Sequence, residues 1–384
     1  MDTQTNFKAT EGEKDYNPVN YDSKFRGPVQ VRFALGNSIN IPAIKMLALV
    51  GIENVMQKAY EMGISNWQPT DTNLKDVGYS LVLGGRVVRL VDEAEAYGVF
   101  ANGGNRQPLV SILEVKDAKG NNLYKYNPPS PQRVLSQEVS FLISHILLDN
   151  NARLIDFGAY SQLVVRGHPS VSVKTGTTND FKDNWTVGYT PSFVVGVWVG
   201  NNDNSSMNKI VSGITGAAPI WNRIMSFVLK GKQDEPPQKP DNVLAMQVDA
   251  FGGGLPVSGQ PTRTEYFIQG TQPTSLAPIY QKIKFSKYQD GKIANDDEVK
   301  AGDYTTKDYI VFKDNDPIST DGKNRWQDGI DAWVKLTYSA DKSEYYPPTQ
   351  TSDYKYSGSD NLNPTPTPTQ TPSATLTPTP APTP

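Results

Sequence analysis

The stretch SVSVKTGTTNDFKDNWTVGYTPSFVVGVWVGN, residues 170–201, decides the fold class. It contains three short runs rich in β-branched and aromatic residues, namely SVSVKTG, NWTVGY and SFVVGVWVGN. Such runs are typical of β-strands, and the TPS between the last two, Thr190 to Ser192, predicts a hairpin turn. The first run ends with Lys174, Thr175, Gly176 and Thr177 along one strand.

Helical patterns surround these strands. Upstream, NSINIPAIKMLALVG predicts a helix entered through Ser38 or Asn40, with Pro42 in its first turn. Further segments with apolar residues at helical spacing are IENVMQKAYEMG, VRLVDEAEAYGVFANGG, LSQEVSFLISHILLDN with Ser136 as its cap, and APIWNRIMSFVLKG. We therefore predict an α/β fold of the α+β kind, in which helices flank a mainly antiparallel sheet.

Changes in composition divide the chain into four stretches. Residues 1–27 form an extended lead-in, and residues 28–232 carry the α/β pattern. Residues 233–346 contain the strand-like pieces TEYFIQG, DYIVF and AWVKLTY and predict a small β-rich appendage. Residues 347–384 end in NPTPTPTQTPSATLTPTPAPTP, a Thr/Pro tract with little apolar surface, which predicts a disordered tail.

Charge and composition exclude several classes of function. The net charge of −3, from 37 basic and 40 acidic residues, gives no reason to expect a nucleic-acid partner. The chain has no cysteine, which excludes a disulfide framework and a thiolate zinc site. No apolar run is long enough to span a membrane, and the first residues lack the pattern of a signal peptide.

Few residues remain that could carry catalysis. The chain has two histidines; His145 lies in an amphipathic helical pattern, where packing is the expected role, and His168 precedes Pro169 in a loop. No histidine-acid cluster has the spacing of metal ligands, which disfavours metal chemistry, and neither common form of Gly-rich phosphate loop is present. The remaining candidates for a catalytic role are a serine, an asparagine and a lysine.

Lys174 is the strongest of these candidates. A lysine beside threonines on a strand edge supplies a positive charge and hydroxyl donors, and Gly176 allows another extended peptide to approach. The alternative is an ordinary strand end that runs into a turn. Ser38 and Asn40 are the second feature: they either cap the helix that follows or place two polar groups in a cleft at its entrance.

Together these motifs resemble the transpeptidase domain of class A penicillin-binding proteins, whose signature motifs are S-x-x-K, S-x-N and K-T-G in chain order. SIN at 38–40 resembles the second motif and KTGT at 174–177 the third. The resemblance extends over about residues 16–230 and includes YNPVNYDSKFRGPVQVRFALGNSINIPAIK, AYGVFANGG and AAPIW. It implies the fold shared by penicillin-binding transpeptidases and serine β-lactamases.

The resemblance also implies a reaction and a location. The family cross-links peptidoglycan stem peptides ending in D-Ala-D-Ala through an acyl-enzyme on serine, and β-lactams acylate the same serine. Ser38, Asn40 and Lys174 would be catalytic; Thr175, Gly176 and Thr177 would bind the substrate. No cofactor or metal is implied. The expected location is the extracytoplasmic face of the membrane or the cell wall, through an anchor upstream of this chain.

One signature motif departs from the family pattern. The S-x-x-K matches are SMNK at 206–209, SADK at 339–342 and SDYK at 352–355, and all follow KTGT instead of preceding SIN. We therefore expect the nucleophile to lie upstream and this chain alone to be inactive. The alternative is a catalytically silent remnant that acts as a wall-binding or structural module. A further hypothesis concerns residues 241–346 as a wall-, glycan- or protein-binding appendage. Its aromatic residues could stack on sugars, although packing in a small core is the expected role; they are Tyr280, Tyr288, Tyr304, Trp326 and Trp333.

Overall fold

The computed structural model describes residues 1–7, 15–75, 77–178, 181–207 and 214–356. The chain divides into two compact units. The first consists of Met1–Ile279 and Phe312–Ser339; the second consists of Tyr280–Val311 and the described residues from Ala340 onward. Most of the predicted Thr/Pro tail, residues 357–384, lies outside the described residues.

Helices occur in both units, and most of them belong to the first. In the described ranges the α-helices are α1 (Val31–Gly36), α2 (Asn40–Val50), α3 (Ile52–Met62), α4 (Asp71–Leu74), α5 (Leu90–Ala101), α6 (Gln137–Leu148), α7 (Leu154–Phe157), α8 (Ala217–Leu229), α9 (Asp296–Ala301) and α10 (Arg325–Thr337). Short 3-10 turns occupy Ser65–Trp67, Tyr79–Leu83, Asn150–Arg153 and Ser343–Tyr345. The predicted cap at Ser136 is confirmed, since its side chain accepts the N–H of Val139. In this part of the chain no helix has the length and apolarity needed to cross a bilayer.

The strands pair in antiparallel fashion. They are β1 (Asn105–Arg106), β2 (Glu114–Lys116), β3 (Asn122–Lys125), β4 (Gln132–Arg133), β5 (Ser172–Thr177), β6 (Asp183–Thr190), β7 (Phe193–Gly200), β8 (Val243–Asp249), β9 (Thr262–Ile268), β10 (Tyr280–Ser286) and β11 (Tyr304–Ile310). The three predicted core strands form one sheet in the order β5-β6-β7, with a hairpin between β6 and β7. The other described strands form the two-stranded pairs β1 with β4, β2 with β3, β8 with β9, and β10 with β11. The predicted fold class is confirmed.

Helices cover both faces of the β5-β6-β7 sheet. One face packs on α8 through a core that includes Val173, Val197 and Trp221, all nearly inaccessible to solvent. On the other face, Gly196 approaches Leu90 of α5, and the Ser172 hydroxyl donates to the carbonyl of Ser144 on α6. Because side chains alternate along a strand, Lys174 shares the face of Ser172, while Thr175 and Thr177 share the face of Val173.

The second unit is small. The β10 and β11 strands pair from Tyr280 opposite Ile310 to Ser286 opposite Tyr304. Helix α9 begins with a capping box between Asn295 and Glu298. The later segment adds to this unit through backbone hydrogen bonds between Ile293 and Gln350 and between Ser352 and Ile293.

The strand predicted from AWVKLTY, residues 332–338, is wrong. Most of it belongs to helix α10, whose buried residues Trp326, Gly329 and Ile330 recur at helical spacing. The Asn324 side chain accepts the N–H of Gln327 and starts the helix. The β-branched and aromatic residues gave a strand-like local composition, but burial of one helical face determines the structure. Trp326 is only 3% exposed, so it does not offer a ring for stacking on sugars.

The predicted domain boundaries at 27, 232 and 346 stay a prediction. The two units group the chain in another way, because Phe312–Ser339 belongs to the first unit together with the lead-in. Strands β8 and β9, which were predicted to lie in the appendage, also fall in the first unit.

Gly188 tests the packing of the sheet on α8. A Cβ atom at Gly188 would lie 2.3 Å from the Trp221 ring and 2.9 Å from the Ser172 carbonyl oxygen. We expect Gly188→Ala to lower the free energy of unfolding by about 3 kcal/mol because neither group can move easily. The control is Gly98→Ala in α5, where an added Cβ has open space; it should raise stability by about 1 kcal/mol. Urea unfolding followed by circular dichroism measures both, and equal effects of the two variants would contradict this packing.

Candidate active site

Two of the predicted site residues meet across a long interval of sequence. The Lys174 ammonium donates a hydrogen bond to Ser38 Oγ, although the two residues are 136 positions apart. Lys174 Nζ also donates to the carbonyl oxygen of Thr175 at 2.7 Å. The SIN and KTGT segments therefore lie side by side, as expected for two motifs of one site.

The backbone of Ser38 is held in the left-handed region, with φ of 55°. Helix α1 ends in a Schellman motif, in which the N–H of Ser38 donates to the carbonyl of Leu35 and the N–H of Ile39 donates to that of Ala34. Glycine is usual at this position because it has no Cβ, and a serine there costs about 1 kcal/mol. A strained residue whose hydroxyl faces Lys174 is the pattern found at functional sites.

Of the two alternatives for Ser38 and Asn40, helix capping is wrong, because neither side chain caps α2. The N-cap residue is Ile39, which has no side-chain acceptor. The first N–H of the helix, that of Asn40, instead donates to Asn20 Oδ1 at 2.9 Å. The Asn40 side chain donates through Nδ2 to the carbonyl of Val19 at 2.8 Å. The capping group thus comes from the lead-in, 20 residues upstream, and no local sequence signal reveals it.

Thr175, Gly176 and Thr177 lie along an edge strand. On one side they pair with Thr186, Trp185 and Asn184 of β6, in that order. In the described part of the chain no strand pairs with the opposite edge of β5. That edge carries backbone N–H and C=O groups that an extended peptide can meet.

A hydrogen-bonded cluster fixes the end of this edge strand. Thr178 Oγ1 donates to Asp183 Oδ2 at 3.0 Å and accepts the Asp183 N–H at 2.8 Å. The Trp198 indole N–H donates to Asp183 Oδ1 at 2.9 Å. These contacts hold the chain where β5 turns into β6, next to Thr177.

Arg153 is a residue of the site that sequence reasoning missed. It is only 4% exposed, and its guanidinium donates to the carbonyl of Leu147 at 2.7 Å and to that of Val173 at 3.5 Å. Burial, and then the positive charge of Arg153, lower the pKa of Lys174 to about 8. Burial also lowers the pKa of Arg153 to about 10, which leaves it charged at neutral pH. Lys174 therefore has a second cation as its neighbour.

The remaining candidates from the sequence are His145 and the three S-x-x-K matches. His145 packs against Phe141 and Tyr266, with ring centroids 5.5 and 4.5 Å away, which agrees with its expected packing role. Residues 208–209 of the SMNK match lie outside the described residues. The match at 339–342 crosses from the first unit to the second, and the match at 352–355 lies within the second.

Known proteins share this sequence and fold. Residues 1–226 match the family model described as the penicillin binding protein transpeptidase domain. Penicillin-binding protein 1A of Clostridium botulinum strain Hall is 32% identical over 73% of this chain and 33% of its own length. Its counterpart in Aquifex aeolicus is 32% identical over 70% of this chain and 35% of its own length. The chain thus spans about a third of these relatives.

Solved structures agree with these sequence matches. The crystal structure of penicillin-binding protein 1A from Haemophilus influenzae has a TM-score of 0.62 at 25% identity, over 72% of this chain and 45% of that one. PonA1 from Mycobacterium tuberculosis has the same fold, with a TM-score of 0.53 at 24% identity and 70% coverage of both chains. With the SIN and KTGT segments in contact, these matches show that the chain belongs to the penicillin-binding protein transpeptidase family.

Proposed function

We propose that this chain supplies the S-x-N and K-T-G parts of a D,D-transpeptidase site that cross-links peptidoglycan stem peptides. The observation that carries the proposal is the hydrogen bond from Lys174 to Ser38, beside a strand edge that an extended peptide can join. The serine nucleophile would come from an S-x-x-K segment upstream of this chain. Such an enzyme works on the extracytoplasmic side of the membrane, where peptidoglycan is assembled.

The reaction has two steps on the upstream serine. Its oxygen bonds to the carbonyl carbon of the penultimate D-Ala, the bond to the last D-Ala breaks, and that alanine leaves with the serine proton on its amine. An amine of a neighbouring stem peptide then attacks the ester, forms the cross-link amide and returns a proton to the serine. A β-lactam would acylate the same serine, with its ring amide as the bond that breaks.

Ser38 is suited to pass the proton in both steps. Lys174 donates to Ser38 Oγ, so the hydroxyl proton of Ser38 must point to another acceptor. That acceptor would be the lysine of S-x-x-K or the leaving amine. The charges of Lys174 and Arg153 would also lower the pKa of a neighbouring lysine, which makes it a better base at neutral pH.

The strand edge would bind the substrate. Thr175 and Thr177 would contact the terminal carboxylate. Gly176 would let the stem peptide lie against the backbone, and the Thr177 N–H would donate to the developing oxyanion. The Asn40 amide group would hydrogen-bond the substrate amide.

A chimera tests this proposal directly. The upstream part of the Clostridium botulinum relative would be fused to this chain at the start of their aligned region and incubated with fluorescent penicillin. We expect covalent labelling of the chimera, and a loss of about 10²-fold or more in the labelling rate for Lys174→Ala, because the site loses its main positive charge. Lys230→Ala, at an exposed position, should label like the unaltered chimera.

Two other outcomes of that experiment have clear meanings. A folded chimera that pellets with purified peptidoglycan but takes no label would overturn the catalytic proposal and favour the silent wall-binding remnant. Equal labelling of the Lys174→Ala and Lys230→Ala chimeras would show that Lys174 has no part in acylation.

Ser38 can be tested with a matched pair of substitutions. Both Ser38→Ala and Ser38→Gly remove the hydroxyl, so both should lower the labelling rate of the chimera by about 10²- to 10⁴-fold. Glycine tolerates the φ of 55° and alanine does not, so the glycine variant should be more stable than the alanine variant by about 1 kcal/mol. Stability that ranks these variants in the opposite order would contradict the strained backbone at Ser38.

The lowered pKa of Lys174 predicts a dependence of stability on pH. The folded-state pKa, about 8, lies below the ordinary value of 10.5, so the unfolded chain binds more protons between these values and stability rises with pH there. The cost of burying the charged amine is fully present below pH 8. Lys174→Met removes it, so this variant should exceed wild type in stability at pH 7, and its advantage should shrink as pH rises toward 10.5. Urea unfolding at a series of pH values measures the difference; a constant difference would contradict a lowered pKa.

A further inference from the structure

The S-x-N segment depends on a side chain that lies outside every signature motif. Asn20 is only 3% exposed and binds three groups at once. Its Oδ1 accepts the Asn40 N–H at 2.9 Å, and its Nδ2 donates to Asp2 Oδ1 at 2.8 Å and to the Lys24 carbonyl at 2.6 Å. No residue at the start of helix α2 caps it, and Asn20 supplies the capping acceptor from the lead-in. The Ser38 hydroxyl therefore accepts the hydrogen bond from Lys174.

The lead-in that carries Asn20 is closed into a loop. Asp2 is fully buried, and its Oδ2 accepts the Arg26 N–H at 2.9 Å. The backbones of Asp2 and Gly27 exchange two hydrogen bonds, of 2.7 and 2.8 Å. The hydrogen bonds between Asp2 and Gly27 therefore join the two ends of the lead-in, and Asn20 lies between these ends in the sequence.

Helix α10 packs against this loop. The Trp333 indole N–H donates to the Phe25 carbonyl at 3.2 Å, and a Cβ at Gly27 would lie 2.2 Å from the Trp333 ring. At Gly329 an added Cβ would lie 2.2 Å from the Gln4 carbonyl oxygen. The helix backbone at Gly329 therefore lies against the backbone of Gln4, and the Trp333 ring lies against the backbone of Gly27; only glycine permits either contact.

The same C-terminal segment also contacts helix α2. Trp326 packs with Phe7 of the lead-in and Ile44 of α2 in one buried cluster. Lys45 lies over the Trp326 ring, 4.5 Å from its centroid, and its Nζ lies 3.4 Å from Asp314 Oδ2. Residues 312–339 thus connect the lead-in to the helix that begins with Asn40.

We propose that Asn20 is a positioning residue for Ser38 and Asn40, and that residues 312–339 form a clasp that keeps it in place. This clasp lies beyond residues 1–226, the range matched by the family model. The inference rests on the proposed function, since it concerns the same pair of motifs. Without the Asn20 acceptor, the first turn of α2 loses its cap, and Ser38 can relax from its strained conformation away from Lys174.

The test uses the intact chain and needs no nucleophile. Competitive labelling of lysines with acetic anhydride over a range of pH, followed by mass spectrometry, gives the titration midpoint of Lys174. In wild type we expect a midpoint near 8. Asn20→Leu should raise it, because Ser38 moves and water reaches the amine; a rise to about 9 would lower the neutral fraction at pH 8 roughly five-fold. Gly329→Ala should act in the same direction by pushing the clasp off the lead-in.

A rescue variant separates positioning from a general loss of stability. Asn20→Asp combined with Asp2→Asn exchanges donor and acceptor, so that position 20 can still accept the Asn40 N–H and receive a bond from position 2. The Lys24 carbonyl loses its donor in this pair, because a carboxylate at position 20 only accepts hydrogen bonds. The pair should therefore return the Lys174 midpoint part of the way to that of wild type. Asp92→Asn is the control, because Asp92 is a buried carboxylate bound to Ser65 and Arg89 in another part of the unit; it should destabilise the chain without moving the midpoint.

The outcomes distinguish this inference from the proposed function. A wild-type midpoint near 10.5, the ordinary lysine value, would contradict the site on which both proposals depend. A wild-type midpoint near 8 that is unchanged in Asn20→Leu and Gly329→Ala would overturn the positioning role alone. A change in midpoint no larger than that of Asp92→Asn, or one that the exchanged pair does not reduce, would also overturn it.

Discussion

The site depends on one hydrogen bond, from the ammonium of Lys174 to the hydroxyl of Ser38. Its donor lies on an edge strand and its acceptor on a strained residue between two helices, so each must be fixed by separate parts of the fold. The sheet fixes Lys174 by packing Val173 against Trp221 and α8 on its other face. The Schellman motif at the end of α1 and the cap from Asn20 fix Ser38. Tertiary contacts therefore position both the donor, Lys174, and the acceptor, Ser38.

Charge and burial give this contact its chemical character. Arg153 brings a second cation close to Lys174 and has no acidic side chain within ion-pair distance in the described residues, only backbone carbonyls and Asn150 as acceptors. The buried Arg153 and the partly exposed Lys174 repel each other, and part of that repulsion appears as the lowered pKa of Lys174. In the proposed function, the terminal carboxylate of a stem peptide would reduce this repulsion, so the two cations would favour its binding.

Sequence reasoning found the elements with strong local patterns. The strands β5, β6 and β7 and the helices α2, α3, α5, α6 and α8 all follow from periodicity, turn residues and caps, because packing reinforces the local preference there. It also paired Ser38 with Lys174, but only through the resemblance of both motifs to one family. Residues whose role comes from distant contacts were missed. Asn20 lies in the irregular lead-in and Arg153 at the end of a short 3-10 turn; both act on backbone groups of other elements, so no spacing marks them. Helix α10 was mistaken for a strand in part, because Trp333 and its neighbours have high strand propensity and its partner surface is the lead-in.

The central claim is that Ser38 and Lys174 form one electrostatic site in the folded chain. The most direct measurement is an NMR titration of the Lys174 side chain in the intact protein, with selective labelling at the ε carbon and assignment by substitution. A midpoint near 8, with a shift of the Lys174 signal when Ser38 is replaced by alanine, is the predicted result. A midpoint near 10.5, or a signal that ignores the Ser38 substitution, would contradict the account.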